Sequence, residues 1–195
     1  LSAIQAALSG QRQATMPERW SSIAKKLVGS DDTRIRSLVL SLGVRFGDTQ
    51  ALRTLRQRLE SASQDNVERM AALEALLAVN DDELAQTLVK VVQSSPSGEL
   101  RQAAIRGLSQ YDSPQGTQAL LSSYPQLDAS ERRAAVATLC SRANSARALL
   151  TAIGDQRIPA VDLSADLARQ LEYLGDQQVN SLLQEHWGQV RESSA

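Results

Sequence analysis

One spacing of arginine, small and aliphatic residues recurs along the chain. Its clearest copy begins at Arg101 and continues through Ala104, Ile105 and Leu108. This spacing places the four residues on one face of a helix. The copies begin, in chain order, at Arg34 (a looser match), Arg69, Arg101 and Arg132. Their starts lie roughly 31 to 35 residues apart, a period typical of helical repeat arrays. Since no repeat can bury its apolar stripe alone, we expect the repeats to stack on their neighbours.

Turn and helix-start signals divide this pattern into units. Asp65 and Asp128 are each followed three residues later by Glu, the spacing of a capping box. Pro and Gly residues interrupt the helical pattern between units, and no segment shows the alternation of a strand. The predicted units are 1–29, 30–63, 64–96, 97–127, 128–158 and 159–195, and the two helices of the last unit are predicted at 162–173 and 176–187. Each unit is predicted to be an antiparallel helix pair.

The core of the repeat narrows its type. The repeat resembles HEAT-like repeats in two features: an order of Arg, two residues, Ala and an aliphatic residue, and short turns that contain Asp. The Thr-Pro-Leu-His run of ankyrin repeats and the signature of tetratricopeptide repeats are absent from the sequence. We therefore predict an all-α fold, a right-handed α-solenoid of about six HEAT-like helix pairs that form a single domain.

Composition and charge restrict the function. The 22 acidic and 21 basic residues leave a net charge of −1, which disfavours a dedicated nucleic-acid groove. No apolar run is long enough to cross a bilayer. The sequence begins with Leu1 rather than Met, so we expect it to be a fragment of a longer protein, and we expect a monomer.

Residues that could carry chemistry are scarce. His186 is the single histidine and Cys140 the single cysteine, so the sequence shows neither a zinc-ligand spacing nor a nucleophile–base pair. We expect Cys140 to be buried and His186 to pack near a helix end. The acidic runs at 31–32 and 81–83 are expected to cap helices. We therefore predict no catalytic residue, no metal and no cofactor in this chain.

The best candidates for binding are three arginines of one second helix. Arg53, Arg56 and Arg58 form its basic patch, and Arg53 and Arg56 share a face at i,i+3 spacing. A plain solvated face is the alternative interpretation. In HEAT-like arrays the second helices line the concave side, so an acidic protein segment is the expected partner. The arginines that begin the repeats are expected to form a structural ladder, and Trp20 and Trp187 to anchor the ends by packing.

The last unit carries a second resemblance. Its segments are similar to the region just before the haem domain in the PVC-type haem-binding C-x-x-C-H proteins. The matching segments are Ile158-Pro159-Ala160-Val161-Asp162-Leu163, Ala168-Arg169-Gln170-Leu171, Gly175-Asp176 and His186-Trp187-Gly188-Gln189-Val190-Arg191-Glu192-Ser193.

This resemblance implies a context for the chain. Those proteins join a β-propeller, a HEAT-like region and a cytochrome c domain, which implies a redox protein of the periplasm or cell envelope with haem c in a downstream domain. Trp187, Gly188 and Val190 would then lie at the inter-domain junction. The chain has no Cys-x-x-Cys-His, so no haem-binding residue can be assigned in it.

Two functions from different classes follow. The first is a non-catalytic scaffold or interaction domain that binds a protein segment or neighbouring domains of the same polypeptide. The alternative is an enzyme on the same scaffold, similar to bilin lyases or to helical-repeat DNA glycosylases. A glycosylase requires a basic groove with aromatic side chains at its centre. The neutral net charge and the 3% of aromatic residues therefore favour the first function.

Overall fold

A computed structural model describes residues 1–8, 14–94 and 98–187. Within these ranges the chain forms twelve α-helices and no β-strand, so the prediction of an all-α repeat fold is confirmed. The helices are α1 (Ser2–Ala7), α2 (Trp20–Leu27), α3 (Thr33–Arg45), α4 (Thr49–Glu60), α5 (Asn66–Ala78), α6 (Leu84–Ser94), α7 (Gly98–Gly107), α8 (Pro114–Ser123), α9 (Ala129–Leu139), α10 (Ala143–Gly154), α11 (Ala165–Tyr173) and α12 (Gln177–His186).

The chain divides into two compact units, each larger than one of the six predicted repeat units, and each is described by itself. Unit 1 is Leu1–Thr87 and unit 2 is Leu88–Ala195, and the division falls within α6. In unit 1 the first helices α3 and α5 contact each other, and α4 packs against both. In unit 2 the first helix α7 packs on α9, while the second helices α8, α10 and α12 contact one another in order. The prediction of one domain over 1–195 stays a prediction.

The repeated apolar positions form the core. Ala104 and Ile105 are completely buried, as are Ala135 and Val136 at the matching positions of the next repeat. Because α7 and α9 pack side by side, each covers the stripe of the other. Stacking of repeats thus removes from water the surface that a single pair would leave exposed.

The first copy of the repeat pattern is out of phase with the others. Arg34 is exposed, and the buried apolar positions of α3 include Val39 and Leu42 rather than Leu38. The arginine that binds the preceding turn is Arg36, whose guanidinium donates to the carbonyl of Ser30. The helical phase predicted from the loose copy at Arg34 is therefore wrong.

An aromatic pair closes the core of unit 1. The rings of Trp20 and Phe46 meet edge to face, with 4.9 Å between their centroids. Both side chains are buried, together with Val39 and Leu42. Trp20 is thus a packing residue, as its position near the start of the chain indicated.

Short polar side chains set the helix starts. Asp128 accepts hydrogen bonds from the backbone of α9, and the Glu131 side chain accepts in return from the Asp128 amide, which completes the capping box. Asp65 accepts from the Glu68 amide at 2.8 Å, but in the described structure the Glu68 side chain is exposed and makes no return bond. An Asp cap therefore begins each of these two helices, and of the two caps Asp128 belongs to a complete capping box.

The last helix pair begins later than its sequence indicated. The prediction started the first helix at Asp162, but α11 begins at Ala165, with Ser164 as its cap. Residues 160–162 form a 3-10 turn instead, and Asp162 accepts a hydrogen bond of 2.7 Å from the Tyr124 hydroxyl. The carboxylate that looked like a helix-start signal therefore ties the turn to an earlier repeat.

Candidate functional site

The three candidate arginines of α4 do not form one surface. Arg53 and Arg58 are exposed, whereas Arg56 retains only 8% of its accessible surface. Arg56 lies beside Leu55 and one turn before Leu59, both of which face the core. The i,i+3 spacing correctly indicates that Arg53 and Arg56 are near neighbours along the helix. Because Arg56 is buried, it belongs neither to an exposed basic patch nor to a plain solvated face.

Arg56 is held by carboxylates of the turn before α6. Its guanidinium forms an ion pair with Glu83 and lies 3.5 Å from a carboxylate oxygen of Asp81. Burial raises the pKa of Asp81; the positive charge of Arg56 offsets part of this effect, and the negative charge of Glu83 adds to it. The Asp81 carboxylate also accepts a hydrogen bond from the backbone of Glu83, so it serves the start of α6 as expected and is in addition a counter-charge of a buried arginine. Reversing the charge of Arg56 would test the stability of this contact rather than partner binding.

A groove runs between the first helices of unit 1. It has a volume of about 620 Å³. Its lining comes from α3, α4 and α5 and from the residue after α5: Ser37, Leu40, Ser41, Val44, Arg45, Leu55, Arg58, Glu68, Ala71, Ala72, Ala75, Ala78 and Val79. We call it the α3–α5 groove. A concave, largely apolar surface with a few polar groups is the usual form of a binding site.

Small side chains create the α3–α5 groove. Ala71, Ala75 and Ala78 recur at i,i+4 and i,i+7 on α5, and Ser37 and Ser41 do so on α3. These side chains are too short to fill the space between the two helices. Sequence reasoning missed this surface, because a stripe of small residues marks the position but does not distinguish a gap from a close approach of helices.

The charged groups of the α3–α5 groove differ in their bonding. The guanidinium of Arg45 donates to the carbonyl of Leu8. Arg58 is exposed and has no acidic side chain within ion-pair distance in the described part of the chain. Glu68 is the single carboxylate of the lining. Of the three predicted arginines, Arg58 is therefore the one that lies on a concave surface, whereas Arg53 and Arg56 are not part of its lining.

The remaining candidates occupy packing positions. Cys140 is fully buried, and burial raises the pKa of its thiol to about 12, so the nucleophilic thiolate is suppressed. His186 lies at the end of α12 against Gly154, so closely that a Cβ added to this glycine would come within 2.7 Å of the imidazole. Among the described residues, no group of three potential ligands could hold a metal ion.

The predicted junction is described only at its first residue. Trp187 follows α12, and its indole N–H donates to the carbonyl of Leu163 at 3.0 Å. This bond ties the end of the helix pair to the turn before α11. Gly188 and Val190 lie outside the described residues.

These features define the class of the protein. Stacked helix pairs with grooves between neighbouring repeats are the features of a helical-repeat scaffold. The chain belongs to the HEAT repeat family: the family model matches residues 17–109 and 59–141, which together span well over half of the sequence. HEAT repeats usually mediate protein interactions and are generally non-catalytic.

No curated protein and no solved structure shows a significant match to the chain. Within the described ranges, no helix combines the length and the apolar character that a bilayer crossing demands.

Proposed function

We propose that this chain is a non-catalytic, monomeric interaction scaffold whose α3–α5 groove binds a short amphipathic segment of a protein. The observation that carries the proposal is the groove itself, a concave surface of about 620 Å³ that is lined by α3, α4 and α5. Most of its lining is alanine and aliphatic side chains, which favour apolar side chains over water. The role of HEAT repeats in protein interactions supports the same function.

The charge of the groove specifies the occupant further. Arg58 offers an exposed guanidinium that lacks an acidic partner among the described residues. A carboxylate on the bound segment would pair with it in a partly desolvated setting, where such bonds are stronger than in water. The occupant is therefore a segment with apolar side chains on one face and an Asp or Glu at its edge.

The enzyme alternative finds less support in this groove. Base flipping requires a pocket that stacks a base between aromatic or apolar side chains and reads its edge with polar groups. The lining includes no aromatic side chain, and its one carboxylate, Glu68, is exposed rather than held in a desolvated position. An interaction surface is the function that these residues favour.

A selection from a displayed peptide library tests the proposal. We expect the selected peptides to combine apolar and acidic residues. Replacing Ala75 with Trp places an indole in the groove, so we expect it to weaken their binding by at least about ten-fold, because central contacts dominate affinity. The readout is the dissociation constant from fluorescence anisotropy.

A control on the same helix separates blocking from distortion. Val67 is 78% exposed and is not part of the lining, so Val67→Trp should leave the affinity within about two-fold. Peptides that bind both variants as well as they bind the parent chain would place the interaction surface elsewhere.

We further propose that the scaffold is the spacer or docking region of a multidomain redox protein of the cell envelope, with haem c in a downstream domain. The support is the resemblance of segments between residues 158 and 193 to the PVC-type haem-binding family. Reading the gene beyond the codon for Ala195 tests this directly. We expect a Cys-x-x-Cys-His motif there, and a full-length product without this motif would contradict the haem context but not the scaffold.

A further inference from the structure

Unit 2 contains a groove of a different character between its first helices. It lies between α7 and α9 and has a volume of about 560 Å³. Its walls include the arginines Arg106 and Arg133, the small residues Ala134 and Ala137, and several hydroxyl side chains, but no carboxylate. We call it the α7–α9 groove. Where the α3–α5 groove is largely apolar with mixed charges, this one is positively charged.

The guanidinium groups of the two arginines of the α7–α9 groove have no acidic partner among the described residues. Arg106 and Arg133 are both exposed, and neither has an acidic side chain within ion-pair distance in the described ranges. Neighbouring arginines behave differently. Arg101 pairs with Glu131, and Arg132 lies over the Tyr124 ring, 5.5 Å from its centroid. In a chain whose net charge is −1, this is a local excess of positive charge that no described acidic side chain neutralises.

The shape of the groove suits an extended chain. Ala134 and Ala137 present no long side chain, so a bound backbone can approach α9 closely. The lining runs from Ser130 to Ser141, which along a helix corresponds to about 16 Å. An extended chain covers that distance in about five residues.

We propose that the α7–α9 groove binds a short acidic segment of a partner protein, whose carboxylates pair with Arg106 and Arg133. Guanidinium groups bind carboxylates with two parallel hydrogen bonds, which gives orientation as well as affinity. A nucleic acid fits the groove less well, because the lining has no aromatic side chain on which a base could stack. This site is distinct from the α3–α5 groove, so the two binding proposals are tested independently.

A labelled acidic peptide tests the proposal on the full chain. The probe is a fluorescein-labelled peptide of about eight residues that alternates Glu and Ala, with its Gln counterpart and a single-stranded oligonucleotide of equal charge as comparisons. Binding is measured by anisotropy at about 50 mM salt, where screening of exposed charges is moderate. We expect the Glu peptide to bind and the Gln peptide to fail. Arg106→Glu/Arg133→Glu should weaken binding by at least about ten-fold.

The matched control uses two arginines of unit 1. Arg34 and Arg53 are also exposed, lie outside the lining of both grooves and lack acidic partners in the described ranges, so Arg34→Glu/Arg53→Glu changes the net charge by the same amount. We expect it to leave acidic-peptide binding within about two-fold. Both pairs of changes are on the surface, so melting curves should match the parent chain to within a few degrees.

Three outcomes would overturn the proposal. Equal losses from the two double variants would mean that the peptide responds to net charge rather than to this groove. Equal or tighter binding of the oligonucleotide would assign the groove to nucleic acid. Failure of the parent chain to bind the Glu peptide would remove the site altogether, without affecting the separate test of the α3–α5 groove by Ala75→Trp.

Discussion

Replacing Ile105 with alanine is expected to lower the free energy of unfolding by about 2–5 kcal/mol. Ile105 is completely buried on α7, where it contributes to the face that packs on α9. Truncation removes apolar surface from the core and leaves a cavity that rigid helices fill only in part. Leu108→Ala should have a similar effect, because Leu108 belongs to the same stripe and is 4% exposed. Urea unfolding followed by circular dichroism measures the change.

Exposed arginines supply the comparison for this loss. Arg53→Ala and Arg58→Ala remove solvated side chains that have no acidic partner in the described ranges, so each should change stability by no more than about 0.5 kcal/mol. The contrast distinguishes the periodic apolar residues from the basic face of α4. If the two sets of variants lost stability equally, the recurring aliphatic residues would not be the core of the array.

The fold was predictable because its signals are local and repeated. The spacing that begins at Arg101 fixes a helical face within a single helix, and its recurrence at Arg69 and Arg132 fixes the stacking. Helix starts are equally local, since Asp128 needs only the amides of its own helix to act as a cap. The phase of the first copy failed because Arg34 and Arg36 offer two competing registers, and only contacts with the preceding turn decide between them.

The site was less predictable because it depends on contacts between repeats. Spacing along α4 relates Arg53 to Arg56, but the burial of Arg56 is decided by Asp81 and Glu83, which come from the next helix pair. The α3–α5 groove likewise depends on the distance between two helices. The alanines at 71, 75 and 78 are equally consistent with close packing of a neighbouring helix on α5 and with an open groove beside it. Only the packed helices show that a gap results.

A buried ion pair joins two repeats of unit 2. Glu131 is completely inaccessible to solvent, and its two carboxylate oxygens accept from Nε and from a terminal nitrogen of Arg101 at 2.7 and 2.6 Å. The same carboxylate also accepts from the amide of Asp128 at 3.0 Å. One side chain therefore links α7 to α9 and completes the cap of α9, so its loss should affect both.

Glu131→Ala is expected to cost about 3–5 kcal/mol, because it leaves the Arg101 guanidinium partly buried without its counter-charge. The variant also deprives the Asp128 amide of its acceptor. Removing both charges with Arg101→Met/Glu131→Leu should cost less than Glu131→Ala alone, because no uncompensated charge remains and apolar side chains can fill the space. A double variant that is no more stable than Glu131→Ala would show that the cap, rather than the ion pair, carries the effect.

The pH dependence of stability provides the independent check on this ion pair. Burial by itself would raise the pKa of Glu131, but the hydrogen bonds from Arg101 and from the Asp128 amide outweigh it and lower the pKa. The unfolded chain therefore binds the proton more readily than the folded chain. The contribution of Glu131 to the stability of the folded state is complete above about pH 4.3, and it is lost as the pH falls through the pKa of Glu131 in the folded chain. Hydrogen bonds from the amide of Glu131 and the hydroxyl of Ser130 also lower the pKa of Asp128.

In the double variant Arg101→Met/Glu131→Leu the loss of stability in acid should be smaller than in the parent chain, while the raised pKa of Asp81 acts equally in both proteins. Melting temperatures measured from pH 7 to pH 3 give the comparison, and parallel curves for the parent chain and the double variant would contradict the assignment.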